Sequence, residues 1–506
     1  MERFLILGSE GGSYDATEKK LTRENANSIV ECLNSDPIRA VKLIVDISSS
    51  GRAPKNDPAI FALAIASGHD NKVARKEALS AIKSVCRTAT HLFQFVESTQ
   101  QMRGWGRGLR SAVASWYDDK GIDSLMYQVT KYAQRGGWSH RDLFRLSHPK
   151  TTDPARGAVY RYIVTGSGDA RSVENKRTGV TKSYSDVNVP DYLIAFQELK
   201  RATVPAEAVR LIQKHGFTHE MVPSELKGSA TVWEALLEKM PMTALIRNLA
   251  KLTSVGVISP LGSRVAGIAE RLQSAEELKR ARVHPIAMLS ALHVYAQGYG
   301  EKGSLEWSPN PLIVDALNEG FYQAFGSVEP TGKATLLAID VSASMTWGTI
   351  AGVPGVNPRA ASAALAMVTA RVEPNYHVAC FDHSFSELKI TPKTRLDDAL
   401  KIMDGIRFGA TDCALPITWA RDNNVGAEVF HVYTDSDTNC GSEHPHQALA
   451  SFRKKTGIPA KLAVVGMQSS GFTIADPNDA GQLDVVGFDL ATPQILSEFA
   501  RQTLAS

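Results

Sequence analysis

The side chains with the clearest capacity for chemistry lie in Asp340-Val341-Ser342-Ala343-Ser344, a D-x-S-x-S cluster. The cluster directly follows the apolar run from Ala334 to Ile339, which has the composition of a buried strand. A carboxylate and two hydroxyls on one loop supply hard oxygen ligands, and these suit a divalent cation such as Mg²⁺. The sequence therefore predicts a metal-binding loop at the end of this strand.

Two further oxygen ligands are predicted at the same edge of the sheet, because ligand sites in open α/β sheets gather beyond the carboxyl ends of the strands. Thr411 follows the turn-like sequence Phe408-Gly409-Ala410, and Asp435 follows the apolar run that begins at Val429. In this order the residues resemble the metal-ion-dependent adhesion site of von Willebrand factor A domains. In that family two serines and a threonine ligate Mg²⁺, the aspartates act directly or through water, and a partner's carboxylate completes the shell. The resemblance assigns these roles to Asp340, Ser342, Ser344, Thr411 and Asp435.

Each of these residues also has a purely structural interpretation. An Asp after a strand commonly caps a helix or stabilises a turn, and serine hydroxyls commonly satisfy backbone amides there. The occurrence of all five in this order favours the metal site. A thiol triad of Cys413, His431 and Asp435 is disfavoured because His431 lies within a predicted buried strand. With no P-loop and no paired carboxylates of nuclease type, the chain is predicted not to be an enzyme.

The elements that must position these residues change character after Pro330-Thr331-Gly332. Residues 1–330 show apolar residues mostly at helical spacing, which predicts an α-solenoid of HEAT-like helical repeats. Residues 331–506 alternate short β-rich runs with helical stretches, which predicts a Rossmann-like α/β domain with a mainly parallel sheet and helices on both faces. The predicted elements are strands at Ala334–Ile339, Tyr376–Phe381, Glu428–Tyr433, Lys461–Val465 and Leu483–Phe488, and helices at Pro358–Val372 and Arg395–Ile406.

Charge is distributed unevenly along the chain, whose net charge is +3. Residues 331–506 carry 14 Lys and Arg against 18 Asp and Glu, whereas residues 101–150 carry 9 against 4. On a helix predicted from Leu125 to Arg135, the side chains of Gln128, Lys131 and Arg135 share the face opposite the apolar stripe. A phosphate backbone would suit such a basic surface, although surface charge alone is common.

The same segment carries further candidate contacts. Arg107 and Arg110 alternate with glycines, which leave room for a ligand to approach the backbone. Trp105 can either stack a nucleobase or enter the core. His148 precedes Pro149 and can hydrogen-bond an RNA phosphate or base edge. Ser139-His140-Arg141-Asp142 has the form of a helix capping box and is predicted to be structural.

Several stretches resemble the TROVE module of the Ro autoantigen family, and the similarity covers nearly the whole chain. The stretches that carry it are Gly104-Trp105-Gly106-Arg107-Gly108-Leu109-Arg110, Val129-Thr130-Lys131-Tyr132, Trp138-Ser139-His140-Arg141-Asp142-Leu143, Met240-Pro241-Met242-Thr243-Ala244-Leu245, Val328-Glu329-Pro330-Thr331-Gly332-Lys333 and Gly471-Phe472-Thr473-Ile474-Ala475-Asp476-Pro477. Residues 165–186 show no such match.

That resemblance implies a ring of helical repeats closed by the A-type domain. The family binds Y RNAs on a basic outer face, holds single-stranded ends of misfolded RNAs in the central hole, and in bacteria works with exoribonucleases in RNA quality control and decay. It places Lys131, Arg135 and His148 on the Y-RNA-contacting face, with Arg107 and Arg110 as weaker candidates. The alternative is a metal-dependent scaffold that recruits acidic protein partners.

Composition limits the class of protein. The 506 residues are 43% hydrophobic and 22% charged, which is ordinary for globular domains and long enough for two or more cores. The five cysteines are widely spaced and lack a C-x-x-C pair, so we expect a reducing, cytoplasmic compartment. No uninterrupted apolar span is long enough to cross a bilayer, so no membrane association is expected.

Overall fold

The computed structural model describes residues 1–8, 13–15, 21–22, 26–166, 172–174, 181–183, 190–260, 262–300, 304–348, 350, 356–406, 409–435, 440–467 and 474–503. The chain forms two compact units. Met1–Glu10 and Leu21–Met240 make up one, which we call the helical unit, and Gly11–Lys20 and Pro241–Ser506 make up the other, the sheet unit.

The elements are numbered along the chain. The helices of the helical unit are α1 (Glu2–Leu7), α2 (Asn27–Ser35), α3 (Pro37–Ser50), α4 (Asp57–Gly68), α5 (Lys72–Val85), α6 (Ala89–Met102), α7 (Arg107–Asp118), α8 (Ile122–Lys131), α9 (His140–Ser147), α10 (Pro154–Thr165), α11 (Asp191–Arg201), α12 (Pro205–His215) and α13 (Ala230–Leu237). Those of the sheet unit are α14 (Met242–Ser254), α15 (Val265–Gln273), α16 (Ala275–Arg280), α17 (Pro285–Gln297), α18 (Pro311–Gln323), α19 (Pro358–Val372), α20 (Leu396–Asp404), α21 (Leu415–Asp422), α22 (Pro445–Thr456) and α23 (Thr492–Arg501).

The strands are short. They are β1 (Ser13–Asp15), β2 (Gln134–Arg135), β3 (Trp138–Ser139), β4 (Ser172–Glu174), β5 (Thr181–Ser183), β6 (Thr335–Asp340), β7 (Tyr376–Phe381), β8 (Phe385–Glu387), β9 (Val429–Thr434), β10 (Lys461–Gly466) and β11 (Gln482–Val486).

Local capping explains where many helices of the helical unit begin. Asp36 accepts a hydrogen bond from the amide of Arg39 and Asn71 from that of Val73, so each side chain satisfies an otherwise unpaired amide. Helices then pack on helices further along the chain: α3 on α5, α4 on α6, α5 on α7 and α7 on α9. The prediction of a mostly helical N-terminal part is confirmed.

The helix predicted from Leu125 to Arg135 is wrong in its second half. Helix α8 ends at Lys131, and β2 and β3 form an antiparallel hairpin that contains Arg135. Gly136 (φ 57°) and Gly137 (φ 80°) make its turn, since two consecutive positive φ angles strongly favour glycine. Gln128 was predicted to share the polar face of this helix with Lys131, but its side chain is buried. Its Oε1 accepts a hydrogen bond from the Ala89 amide at 2.8 Å, which satisfies the buried oxygen.

The central sheet of the sheet unit has the strand order β1-β11-β10-β9-β6-β7-β8. All neighbouring pairs are parallel except β7 and β8, so the mainly parallel prediction is confirmed. The five predicted strands and both predicted helices are present, with ends within two residues of those expected. The edge strands β1 and β8 were not predicted.

Both faces of the middle strands are covered, which explains their near-continuous apolar sequences. On one face, Leu336 and Ala338 of β6 share a core with Ile417 of α21 and Phe452 of α22. On the other, α19 packs against β6, β7 and β9.

The change from helices to sheet and the division into compact units fall at different places. Strand β6 begins at Thr335, near the predicted boundary at residue 330, whereas the units divide after Met240. Helix α17 packs on α19 within the sheet unit, and the Arg371 guanidinium of α19 lies 4.4 Å from the ring centroid of Phe325. Among the described residues, no helix combines the length and apolar character needed to cross a membrane.

Candidate metal centre and basic surface

Asp340 is the last residue of β6, and its side chain is fully buried. One carboxylate oxygen accepts the Ser342 amide at 2.8 Å, and the other accepts the hydroxyl of Thr434, from the end of β9, at 2.8 Å. Adjacent parallel strands therefore end together and orient this carboxylate between two loops.

The two serines of the D-x-S-x-S cluster point their hydroxyls at one another. A short 3₁₀ turn, Ala343–Thr346, follows Ser342 and brings the Ser342 and Ser344 Oγ atoms within 3.1 Å. Ser342 is buried and Ser344 is half-buried. Two neighbouring oxygens of this kind can serve as adjacent ligands of one cation.

Thr411 and Asp435 lie at the same edge of the sheet, and both are buried. The Sγ of Cys413, two residues after Thr411, lies 3.9 Å from the Thr434 hydroxyl that donates to Asp340. Asp435 is near enough for its charge to act on the carboxyl of Asp340. The structure therefore brings all five predicted ligands to one edge.

Electrostatics at this edge fit a cation. The pKa of Asp340 is raised to about 6, chiefly by burial and also by the Asp435 charge, against hydrogen bonds from Ser342 and Thr434 that lower it. A buried carboxylate beside a second one is costly unless positive charge compensates it. Within the described ranges no three His, Cys, Asp or Glu side chains are grouped to hold a metal. Hydroxyl oxygens would therefore have to complete the donor set, and hard oxygens of this type suit Mg²⁺ better than Zn²⁺.

The sequence did not single out Arg359, whose guanidinium holds the predicted metal-binding loop through hydrogen bonds. Its side chain, on the first turn of α19, is 3% exposed. The guanidinium donates to the carbonyl oxygens of Val341 at 2.9 Å and Ser342 at 3.3 Å, and to Asp404 of α20 at 3.0 Å. Planar, multiple donation of this kind holds a loop in one geometry.

Thiol chemistry finds no support at this edge. His431 is buried within β9, and burial lowers its pKa to about 4. Its Nδ1 lies 3.4 Å from the Tyr433 hydroxyl rather than against a cysteine. The interpretation of His431 as a core residue is confirmed.

The predicted RNA contacts lie in the helical unit, and four of the five are exposed. Arg107 and Arg110 stand on the first turns of α7, Arg135 on the β2–β3 hairpin, and His148 at the end of α9 with φ 51°. The neighbouring Arg141, Arg145 and Lys150 are exposed as well, although they were not among the predicted contacts.

Lys131 differs from the other four because its ammonium group already has partners. Its Nζ lies 3.0 Å from the Tyr127 hydroxyl and 3.5 Å from a carboxylate oxygen of Glu220. The rings of Tyr127 and Tyr132 flank it with centroids 5.3 and 5.4 Å away. The side chain is only 15% exposed.

Trp105 and the capping-box residues of this segment have partners within the helical unit. Trp105 and Trp138 are partly buried against the core, with ring centroids 6.3 Å apart, which favours a packing role for Trp105. Ser139 and Asp142 form the predicted capping box, because each side chain accepts a hydrogen bond from the other's amide. Residues 167–171, 175–180 and 184–189 lie outside the described part of the chain.

Comparison with known proteins gives matches over nearly the whole chain. Residues 1–293 match the family model described as the TROVE domain, and residues 334–500 match the one described as the Ro60 vWA domain. The chain is 40% identical to RNA-binding protein RO60 of Deinococcus radiodurans, covering 99% of this chain and 92% of that one. It is 38% identical to RNA-binding protein RO60 of Caenorhabditis elegans, covering 99% and 87%. The crystal structure of the Deinococcus radiodurans RO (RSR) protein superimposes with a TM-score of 0.90 at 39% identity, covering 99% of this chain and 98% of that one.

Proposed function

Because the chain belongs to the Ro60 family, whose TROVE and von Willebrand factor A domains it carries, we propose that it is a non-catalytic RNA-binding scaffold. The observation that carries the proposal is the set of exposed cationic side chains on the helical unit. Arg107, Arg110 and Arg135 supply charge there, and His148 adds a hydrogen-bonding ring.

Helix α7 adds a reason to expect phosphate at this surface. Arg107 occupies the first helical position, and Arg110 lies one turn further on. The amino end of a helix carries partial positive charge, so cations there disfavour the isolated helix and are compensated by an anion. RNA phosphates would supply that compensation, and their binding would weaken steeply with salt.

We assign two classes of RNA to the protein. A small structured RNA of the Y type would lie along the basic surface, held mainly through its phosphates. Misfolded RNAs would be distinguished by free single-stranded ends, whose unpaired bases offer stacking faces and hydrogen-bonding edges that a duplex hides. The scaffold would then work with an exoribonuclease in RNA quality control or decay.

The metal centre is proposed to serve a partner. Asp340, Ser342, Ser344, Thr411 and Asp435 would hold Mg²⁺, which would supply a charged coordination position for a carboxylate of an acidic protein. The raised pKa of Asp340 supports this, because it marks a site that lacks compensating positive charge. A purely metal-dependent protein scaffold without RNA is the second candidate function.

Fluorescence anisotropy distinguishes the RNA-binding scaffold from the metal-dependent protein scaffold. A labelled stem-loop with a single-stranded 3′ tail is compared with a blunt duplex across a salt series. The proteins are the wild type, a Lys131→Glu/Arg135→Glu variant, and a control Arg39→Glu/Lys42→Glu variant that reverses two exposed charges on α3.

We expect tight, salt-sensitive binding that favours the tailed RNA. The Lys131→Glu/Arg135→Glu variant should lose it, by at least ~100-fold if each reversal costs about 1.4 kcal/mol or more, and the α3 control should retain most of it. Absence of binding by the wild type at low salt would reject the RNA scaffold and leave the metal-dependent interaction protein.

A further inference from the structure

Lys131 contrasts with the other predicted RNA contacts because a carboxylate of the same chain lies beside it. The Glu220 Oε1 is 3.5 Å from the Lys131 Nζ. The Tyr127 hydroxyl at 3.0 Å and the flanking tyrosine rings fix the ammonium group in place. A phosphate reaching this ammonium must share it with Glu220 or displace the carboxylate.

Glu220 is held in position by its neighbours. Phe217 and Met221, on either side of it in the chain, are 3% and 2% exposed, so they anchor the segment in the core. The second carboxylate oxygen of Glu220 lies 3.2 Å from the Nδ1 of His219. Although burial alone raises the pKa of Glu220, hydrogen bonds and the nearby His219 and Lys131 lower it overall, so the group is ionised at neutral pH.

The carboxylate of Glu220 is also exposed enough for an RNA phosphate to replace it at the Lys131 ammonium. Its side chain is 42% exposed, so water and salt weaken its attraction to Lys131. An RNA phosphate at the same ammonium would add to the contacts made by the exposed arginines. The intramolecular ion pair is therefore weak enough to be exchanged yet close enough to oppose binding.

We propose that Glu220 is an affinity-determining residue for RNA: it competes with phosphate for the ammonium group of Lys131. The inference rests on the proposed RNA-binding function and on Lys131 as one of its contacts. Glu220 thereby keeps the affinity for RNA below the value that the basic surface alone would give. It also makes one phosphate contact conditional on displacing a carboxylate.

The test is a double-mutant cycle read by RNA binding. Glu220→Gln keeps the size of the side chain and one acceptor oxygen but removes its charge. We expect it to tighten binding of the tailed stem-loop by about 2- to 5-fold, which corresponds to the upper part of the range for an exposed ion pair. The slope of log affinity against log salt should steepen, by up to about one phosphate contact.

The matched control is Glu225→Gln, which removes the charge of an exposed carboxylate from the segment between α12 and α13 that also contains Glu220. It corrects for the general effect of one less negative charge. In the background Lys131→Gln, the substitution Glu220→Gln should have no more effect than Glu225→Gln, because the contested ammonium is gone. Melting temperatures of all variants check that folding is intact.

The outcomes distinguish competition between Glu220 and phosphate from a purely structural ion pair. Tighter binding by Glu220→Gln that disappears in the Lys131→Gln background supports the competition. Unchanged or weaker binding, or a gain equal to that of Glu225→Gln, overturns it and leaves the ion pair as a structural link between α8 and this segment. If neither the wild type nor any variant binds RNA, the proposed function itself fails.

Discussion

At the scale of single residues, the chain buries titratable groups whose charge state depends on their partners. Asp340 is the clearest case, because its two oxygens accept hydrogen bonds from an amide and a hydroxyl while Asp435 adds a second negative charge. Such a group favours either protonation or a bound cation. Its surroundings are therefore compatible with the proposed role in metal binding.

Asp340→Asn tests this role. The amide keeps an acceptor for the Ser342 amide but removes the charge, so we expect the affinity for Mg²⁺ to fall by more than ~10-fold. The variant should also be at least as stable as wild type in chelator, because it no longer buries a charge. Terbium luminescence with Mg²⁺ competition and melting curves measure both effects. Asp398→Asn, which alters an exposed carboxylate on α20, is the control and should behave as wild type.

His140 supplies a pH-dependent prediction in the helical unit. Burial lowers its pKa from 6.5 to about 4, and its Nδ1 lies 2.8 Å from the Tyr117 hydroxyl. The unfolded chain therefore takes up this proton first as pH falls, and stability is lost between about 6.5 and 4. The advantage of wild type over His140→Asn in free energy of unfolding should shrink across that range, by up to about 3 kcal/mol. A constant difference from pH 7 to pH 4, measured by denaturant unfolding, would contradict a buried neutral histidine.

At the scale of elements, the predicted metal-binding loop is positioned by a helix as well as by its own strand. The N-terminal turn of α19 places the Arg359 guanidinium against the carbonyl oxygens of Val341 and Ser342, and Asp404 of α20 balances its charge. The loop is therefore held in shape by hydrogen bonds that need no bound cation. Pre-organisation of this kind raises affinity because less ordering remains for binding.

Arg359→Met should therefore lower cation affinity by about 10- to 100-fold, the size typical when residues that orient metal ligands are replaced. Arg359→Lys should restore part of that affinity. Calorimetric titration with Mg²⁺ gives the affinities. Arg453→Met is the matched control, because that arginine of α22 donates to the Ala460 carbonyl and pairs with Asp479 elsewhere in the sheet unit. Equal affinity in the Arg359 and Arg453 variants would show that the contact to the loop is only structural.

At the scale of the whole molecule, the two candidate sites belong to different compact units. The predicted RNA contacts lie in the helical unit, and the five predicted metal ligands lie in the sheet unit. Substitutions at sites without shared partners usually act additively. The two activities are therefore expected to be separable.

We expect Asp340→Ala to abolish cation binding while leaving the affinity for tailed RNA within about 2-fold of wild type. Conversely, Lys131→Glu/Arg135→Glu should abolish RNA binding and leave Mg²⁺ affinity unchanged. Measuring the affinities for Mg²⁺ and for tailed RNA in both variants tests directly whether the two activities are separable. Loss of both activities in either variant would instead indicate coupling between the sites.

The sequence by itself determined the type of most elements and was enough to predict which residues would form a metal site. Buried strands such as β6 and amphipathic helices carry their own periodicity, and Asp340, Ser342 and Ser344 follow one strand directly, so local pattern was enough. It also located the charged segment around Arg107 and Arg110. The end of α8 was predicted wrongly, because the turn formed by Gly136 and Gly137 starts a hairpin where the helical periodicity predicted continued helix after Lys131.

Only the tertiary structure decided the contacts made between distant parts of the chain. Strand β1 has three residues and no pattern of its own, and it forms because the edge of β11 offers unpaired backbone groups. Glu220 meets Lys131, and Arg359 meets the loop at Ser342, through packing of separate segments. These contacts depend on where folded elements come to lie, which residue spacing does not encode.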